Sequence, residues 1–172
     1  MQITIREPGS AITHFIGMML ALFAAVPLLV KAGVTSGWQN LAAMAVFMAS
    51  MILLYGASTT YHSVNLAGSR LKLFRKIDHM MIFVLIAGTY TPVCLIILGG
   101  QIGYTLLAIV WSIAAVGMLI NAFWITCPKW FSSLIYIAMG WVCVFVFSNL
   151  WASLPLTGFL WLLAGGIIYT IG

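Results

Sequence analysis

Acidic side chains are nearly missing from this sequence. Glu7 and Asp78 are the only two in 172 residues, against seven Lys and Arg. Charged residues of both signs amount to 5%, while hydrophobic residues reach 64%. A soluble domain carries roughly a quarter charged residues and about half apolar ones. The polar surface present here is too small to cover a water-facing globule, so a free-standing soluble domain is excluded. Cysteine is scarce as well. Cys94, Cys127 and Cys143 form no C-x-x-C pair, and two of them lie in apolar runs, where cysteine behaves as a small hydrophobe. That argues against a disulfide framework and against a cysteine metal site. No linker and no low-complexity tract is present. A cleavable leader is not expected either: MQITIREPGS carries both Arg6 and Glu7, the apolar run after it is long enough to span, and no A-x-A pattern follows. The net charge of +5 would suggest nucleic acid as the partner of a soluble protein. Here the basic residues flank apolar runs, so membrane topology accounts for them. Membrane lipids, and no nucleic acid, are the expected partners.

What the sequence does contain is apolar segments of membrane-spanning length, about 20 residues each. Six of them fill residues 1–172 as a single domain. The expected spans run from Ile12 to Val30, Asn40 to His62, Ile77 to Leu98, Gly103 to Trp124, Phe131 to Leu150, and Pro155 to Gly172. Ser10 is placed to cap the first and Pro27 to kink its far end. A Gly-rich connector, Lys31 to Gln39, follows, and a polar, basic one, SVNLAGSRLKLFRK, separates the second and third spans. No internal inverted repeat is visible. The fold class is therefore all-α, a polytopic transmembrane helical bundle. With the N-terminus in the cytoplasm, Arg6, Arg70, Lys72, Arg75, Lys76 and Lys129 lie inside and only Lys31 lies outside, as the positive-inside rule requires. Trp38, Trp124, Trp130 and Trp151 fall at span ends, while Trp111, Trp141 and Trp161 fall within spans, so an interfacial aromatic belt describes only some of them.

Both acidic residues and all three histidines fall on the inner side of this topology. Ser58 and His62 are four apart and share one face of the second span. Asp78 and His79 open the third span at the same depth. His14 begins the first span, with Glu7 two turns before it. Each has a plain structural explanation. Asp78 suits a helix N-cap, His62 the negative end of a helix, Ser58 close helix packing, and His14 the interface. Taken together they suggest more. An ionisable group at the centre of a span costs about 2.5–3.5 kcal/mol on insertion scales, and such groups pair, conduct or coordinate. His62 with Asp78 makes half of a zinc site, because catalytic zinc normally has three protein ligands.

The segment SMILLYGASTTYHSV followed by RKIDHMMIFVLIAGTYTPV resembles the hemolysin III family, the bacterial branch of the progestin and adipoQ receptor group. Ser58-x-x-Tyr61-His62, Asp78-His79 and Ile86-Ala87-Gly88-Thr89-Tyr90-Thr91-Pro92 carry the likeness. EPGSAITHFIG is similar to the family's Glu…Thr-His lead into the first span, with Ser10 where Asn is common and Phe15 where Gly is common. WFSSLIYIAMGW in the fifth span is also similar. The resemblance implies seven helices, of which six are present. GGIIYTIG resembles the family's sixth span, and the expected seventh, with its His-x-x-x-His pair, has no counterpart in these residues. It also implies a zinc ion held by the second-span His and the seventh-span pair. Carried over, His62 and Asp78 are the metal residues, and Ser58 and Asp78 the catalytic candidates. The location implied is the bacterial plasma membrane.

Three functional readings follow from the resemblance. The first is a membrane-homeostasis protein, in some members described as cytolytic. The second is a zinc-dependent intramembrane hydrolase of lipid amides, of the ceramide kind. Zinc would lower the pKa of its water toward about 7, Asp78 would orient that water, and Ser58 would polarise the substrate. The third is a non-enzymatic ligand receptor. Plain pore formation needs a polar lumen, which these spans do not offer. The orientation yields a test. With the native cysteines replaced, Ser69→Cys is expected to resist a membrane-impermeant maleimide in intact cells and to react after permeabilisation. Labelling of intact cells would reverse the topology.

Overall fold

The computed structural model describes residues 5–124 and 129–171. The described residues form helices and connecting turns. The helices are α1 (Pro8–Val34), α2 (Gly37–Ser63), α3 (Gly68–Leu98), α4 (Gly100–Phe123), α5 (Trp130–Ser153) and α6 (Leu156–Ile171). The first five are long and apolar enough to cross a membrane, and the protein is a polytopic helical membrane bundle. α6 has 16 residues, or about 24 Å of helix, against about 30 Å of hydrocarbon. The sequence-based reading carried it one residue further, to Gly172, which lies outside the described residues, as do Cys127 and Pro128. Cys94 and Cys143 form no disulfide.

The helix ends follow local chemistry and differ from the expected ones in three places. α1 begins at Pro8, where a fixed φ and a missing N–H suit the first helical turn. Glu7 is its N-cap residue, and Ser10 lies inside the helix. Pro27 also lies inside α1, and the backbone leaves helical geometry at Gly37, with φ 81°, a left-handed value that glycine adopts without strain. The third difference is the largest. The basic connector is helical from Gly68 onward, so Arg70, Lys72, Arg75 and Lys76 belong to the first turns of α3. Leu, Lys and Arg are good helix formers, and Lys76 anchors the segment by donating from Nζ to the Ala122 carbonyl at 2.7 Å.

α3 is the centre of the packing. Phe83, Ile86, Ala87, Tyr90 and Cys94 recur at three- and four-residue intervals. They meet Leu106, Val110 and Ala114 of α4 and Met139 of α5 in one buried cluster. Outside that cluster many large apolar side chains face outward, Phe145 at 88% exposure and Trp161 at 80%, as lipid contact demands. Two helices depart from α-geometry. α3 widens into a π-helical turn, Val93–Leu98, directly after Pro92, which lacks the N–H for a regular bond. α5 tightens into a 3₁₀ segment, Trp141–Val146. There the Tyr90 hydroxyl donates to the Gly140 carbonyl at 2.6 Å and accepts from the Cys143 amide at 3.0 Å, inserting a side chain into the helix ladder.

Small residues decide how closely helices approach. A Cβ on Gly88 would stand 2.6 Å from the Ser50 Cβ of α2, and one on Gly140 would stand 2.6 Å from the Tyr169 ring of α6. Gly165, by contrast, has open space where a Cβ would go. Overpacking costs about 1–3 kcal/mol. Gly88→Leu is therefore expected to lower the melting temperature in detergent while Gly165→Leu leaves it nearly unchanged. Equal melting of Gly88→Leu and the parent would contradict this packing.

Candidate functional site

The start of α1, the end of α2 and the start of α3 meet at one end of the bundle. The α1–α2 pair is antiparallel with a definite register. Gly17 lies under the Tyr55 ring, so closely that a Cβ there would stand 2.9 Å from Cε1. One turn earlier along α1, the Ser58 hydroxyl and His14 Nδ1 are hydrogen-bonded at 2.5 Å. Two turns earlier still, His62 Nδ1 donates to Glu7 Oε2 at 2.6 Å, and the Glu7 amide donates to the His62 carbonyl at 3.0 Å. The spacing explains this ladder. Residues 7 and 14 lie two helical turns apart on one side of α1, and residues 58 and 62 lie one turn apart on the facing side of α2.

The lead-in segment closes the ladder from outside. Arg6 donates through Nε and Nη2 to Glu7 Oε1 at 3.0 and 2.6 Å. Its guanidinium lies 4.2 Å from the centroid of the Tyr61 ring, a cation–π contact. Hydrogen bonds from Arg6 first, and then from His62, hold the Glu7 carboxyl below the usual carboxylate range. Glu7 is thus the ionised partner of both.

Ser58 and Asp78 are buried, at 4% and 7% exposure. The His14 and His62 rings meet edge to face with centroids 5.4 Å apart, and Asp78 is within electrostatic reach of His14. Hydroxyl, two imidazoles and a carboxylate therefore gather where three helices end. His79 takes a different place: its backbone carbonyl accepts a 2.9 Å bond from the Tyr136 hydroxyl of α5. Among the described residues no group of three or more His, Cys, Asp or Glu is arranged to hold a metal ion.

The sequence placed Ser58, His62, Asp78, His14 and Glu7 at one depth, and the structure brings them to one end. It did not pair Glu7 with His62 or His14 with Ser58. The signal was available in the matching offsets on two antiparallel helices. Arg6 was counted only toward topology and Tyr61 only as part of the Ser58-x-x-Tyr61-His62 motif, and neither was placed against Glu7.

The profile of the family described as Haemolysin-III related matches residues 2–172. Hemolysin-3 of Bacillus cereus is 41% identical over 167 residues, covering 97% of this chain and 76% of that protein. A hemolysin-3 homolog of Bacillus subtilis (strain 168) is 41% identical over 170 residues, covering 98% of this chain and 79% of that protein. No match was found among solved structures.

The Ser58–His14 bond can be measured by a double-mutant cycle. Removing one partner leaves the other unsatisfied in a half-buried setting, at a cost of about 1–3 kcal/mol. Ser58→Ala and His14→Ala are each expected to destabilise the protein. The double variant should lose less than their sum by about 0.5–3 kcal/mol. Strict additivity would mean that the two side chains do not interact.

Proposed function

The chain belongs to the haemolysin-III related family, and from that premise we propose a multi-pass plasma-membrane protein whose cytoplasmic end carries a zinc-type site. The observation behind this reading is the held imidazole of His62. Its Nδ1 is bonded to a carboxylate, the arrangement in which a histidine presents Nε2 to a metal. The buried Ser58 hydroxyl lies one turn before His62 on α2, and the Asp78 carboxylate is buried in α3. These donors suit zinc, which takes imidazole nitrogen and carboxylate oxygen readily.

They fit as part of a shell. His62 is the ligand, with Asp78 bound directly or through water. The family resemblance supplies the remainder as a His-x-x-x-His pair, and His14, His62 and His79 include no such spacing. A bound zinc ion would supply an acidified water. Asp78 would hold that water in line, and Ser58, itself held by His14, would donate to a substrate carbonyl. The orientation rests on six basic residues at the inner ends against one at the outer.

The role we assign is membrane homeostasis, or the cytolytic action that the relatives' name, hemolysin, denotes. A second reading, hydrolysis of lipid amides, is favoured by the buried hydroxyl–imidazole pair beside a buried carboxylate, which a purely structural protein does not need. Metal content tests the site. The native protein, purified with any residues that follow Gly172, is expected to hold near-stoichiometric zinc and to lose it in His62→Ala. The 172-residue chain alone is expected to hold little. Stoichiometric zinc that survives His62→Ala would eliminate this site.

A further inference from the structure

Glu7 divides its two carboxylate oxygens between two partners. Oε1 takes both bonds from Arg6, and Oε2 takes the bond from His62 Nδ1. An ionised carboxylate can only accept, so Nδ1 of His62 carries the proton. In the neutral ring the proton on one nitrogen defines the role of the other, and Nε2 then keeps its lone pair. Glu7 also fixes the ring's base, because its amide donates to the carbonyl of the same histidine. One residue therefore grips His62 by backbone and by ring.

Stability does not explain this arrangement. The Glu7 side chain is 45% exposed, and exposed ion pairs contribute about 0–1 kcal/mol. Holding a tautomer needs direction more than strength, and two bonds to one residue supply it. Arg6 lies on the ring of Tyr61, the neighbour of His62 in sequence, so the carboxylate itself is held against swinging out to water.

We propose that Glu7 is a positioning residue for His62, holding it as the Nδ1–H tautomer with Nε2 free to bind a metal. The metal part of this inference rests on the zinc reading above, whereas the tautomer does not. The same pattern continues one step inward, where His14 of α1 meets the hydroxyl of Ser58 on α2. The lead-in to α1 thus orients the groups that α2 displays.

Nitrogen-15 NMR of histidine-labelled full-length protein in lipid reads the tautomer directly. The His62 signals are assigned by their loss in His62→Ala, above the ordinary imidazole pKa range and without added metal. The Nδ1–H form is expected in the parent and in Glu7→Gln, whose amide oxygen still accepts. Glu7→Ala should convert His62 largely to the Nε2–H form. Arg6→Ala should keep the parental tautomer, whereas a merely structural latch would respond alike to both alanine variants. Zinc titration of the same proteins should show binding about 10–100-fold weaker in Glu7→Ala. An unchanged His62 tautomer in Glu7→Ala overturns the proposal. So does zinc binding that needs His62 and is indifferent to Glu7. A tautomer shift in protein that binds no zinc sustains the positioning role and removes the zinc reading instead.

Discussion

A polar group inside a bilayer has no water to bond, and every unsatisfied one costs several kcal/mol. That constraint orders this molecule. Within the spans several hydroxyls bond backward to their own helix, as Thr60 does to the Gly56 carbonyl and Thr91 to that of Ala87, while the buried Thr59 hydroxyl has no partner. Thr91 also accepts from the Trp111 indole at 3.2 Å, so one hydroxyl satisfies itself and ties α3 to α4. The ionisable groups of the first three helices gather at one end. Glu7, His14 and His62 are paired across α1 and α2, and Asp78 is buried at the adjoining end of α3. Their concentration at one end is what sets them apart from scattered helix caps.

α3 connects that end to the rest of the bundle. Its first turns carry the basic residues, its next turn buries Asp78, and its middle supplies the core around Phe83. Its last third places Tyr90 into the backbone of α5. The Tyr90 hydroxyl takes the Gly140 carbonyl out of the regular ladder, and α5 continues as a tighter helix from Trp141. Gly140 has no Cβ for a further reason: the Tyr169 ring of α6 lies against it. Motif residues of the Ala87 to Pro92 run are thus packing and backbone-shaping residues, distant from the ionisable end along the same helix. Their conspicuous pattern in the sequence is a matter of helix contact, and the ionisable Asp78 lies two to three turns earlier on the same helix.

Much of this was legible in the sequence because the bilayer makes hydropathy a direct record of architecture. The helices, their order, and the shared level of Ser58, His62, Asp78, His14 and Glu7 all follow from span counting. Boundaries set by local backbone chemistry were harder. The stretch after Gly68 looked like a connector because it is charged, yet Leu, Lys and Arg are helix formers, Arg70, Lys72 and Arg75 face outward, and Lys76 turns to the Ala122 carbonyl. Composition does not tell which side of a helix meets a neighbour, so it does not separate Gly88, packed on Ser50, from Gly165, which faces open space. The pairing of Glu7 with His62 depends on the rotation of α1 against α2, which Gly17 under Tyr55 sets. A single sequence shows the offsets on each helix and leaves that rotation open.

The arrangement of this end depends on the docking of the Glu7 lead-in onto the end of α2. Glu7 precedes the first turn of α1, so no bond within that helix protects its amide, which is held by the His62 carbonyl. Residue-resolved hydrogen exchange in lipid nanodiscs addresses it directly. Slow exchange at the Glu7 amide, well below the rate of a free N-terminal segment, is the predicted result. Exchange at the free-chain rate would mean that Glu7 does not rest on His62, and the site as described here would not exist.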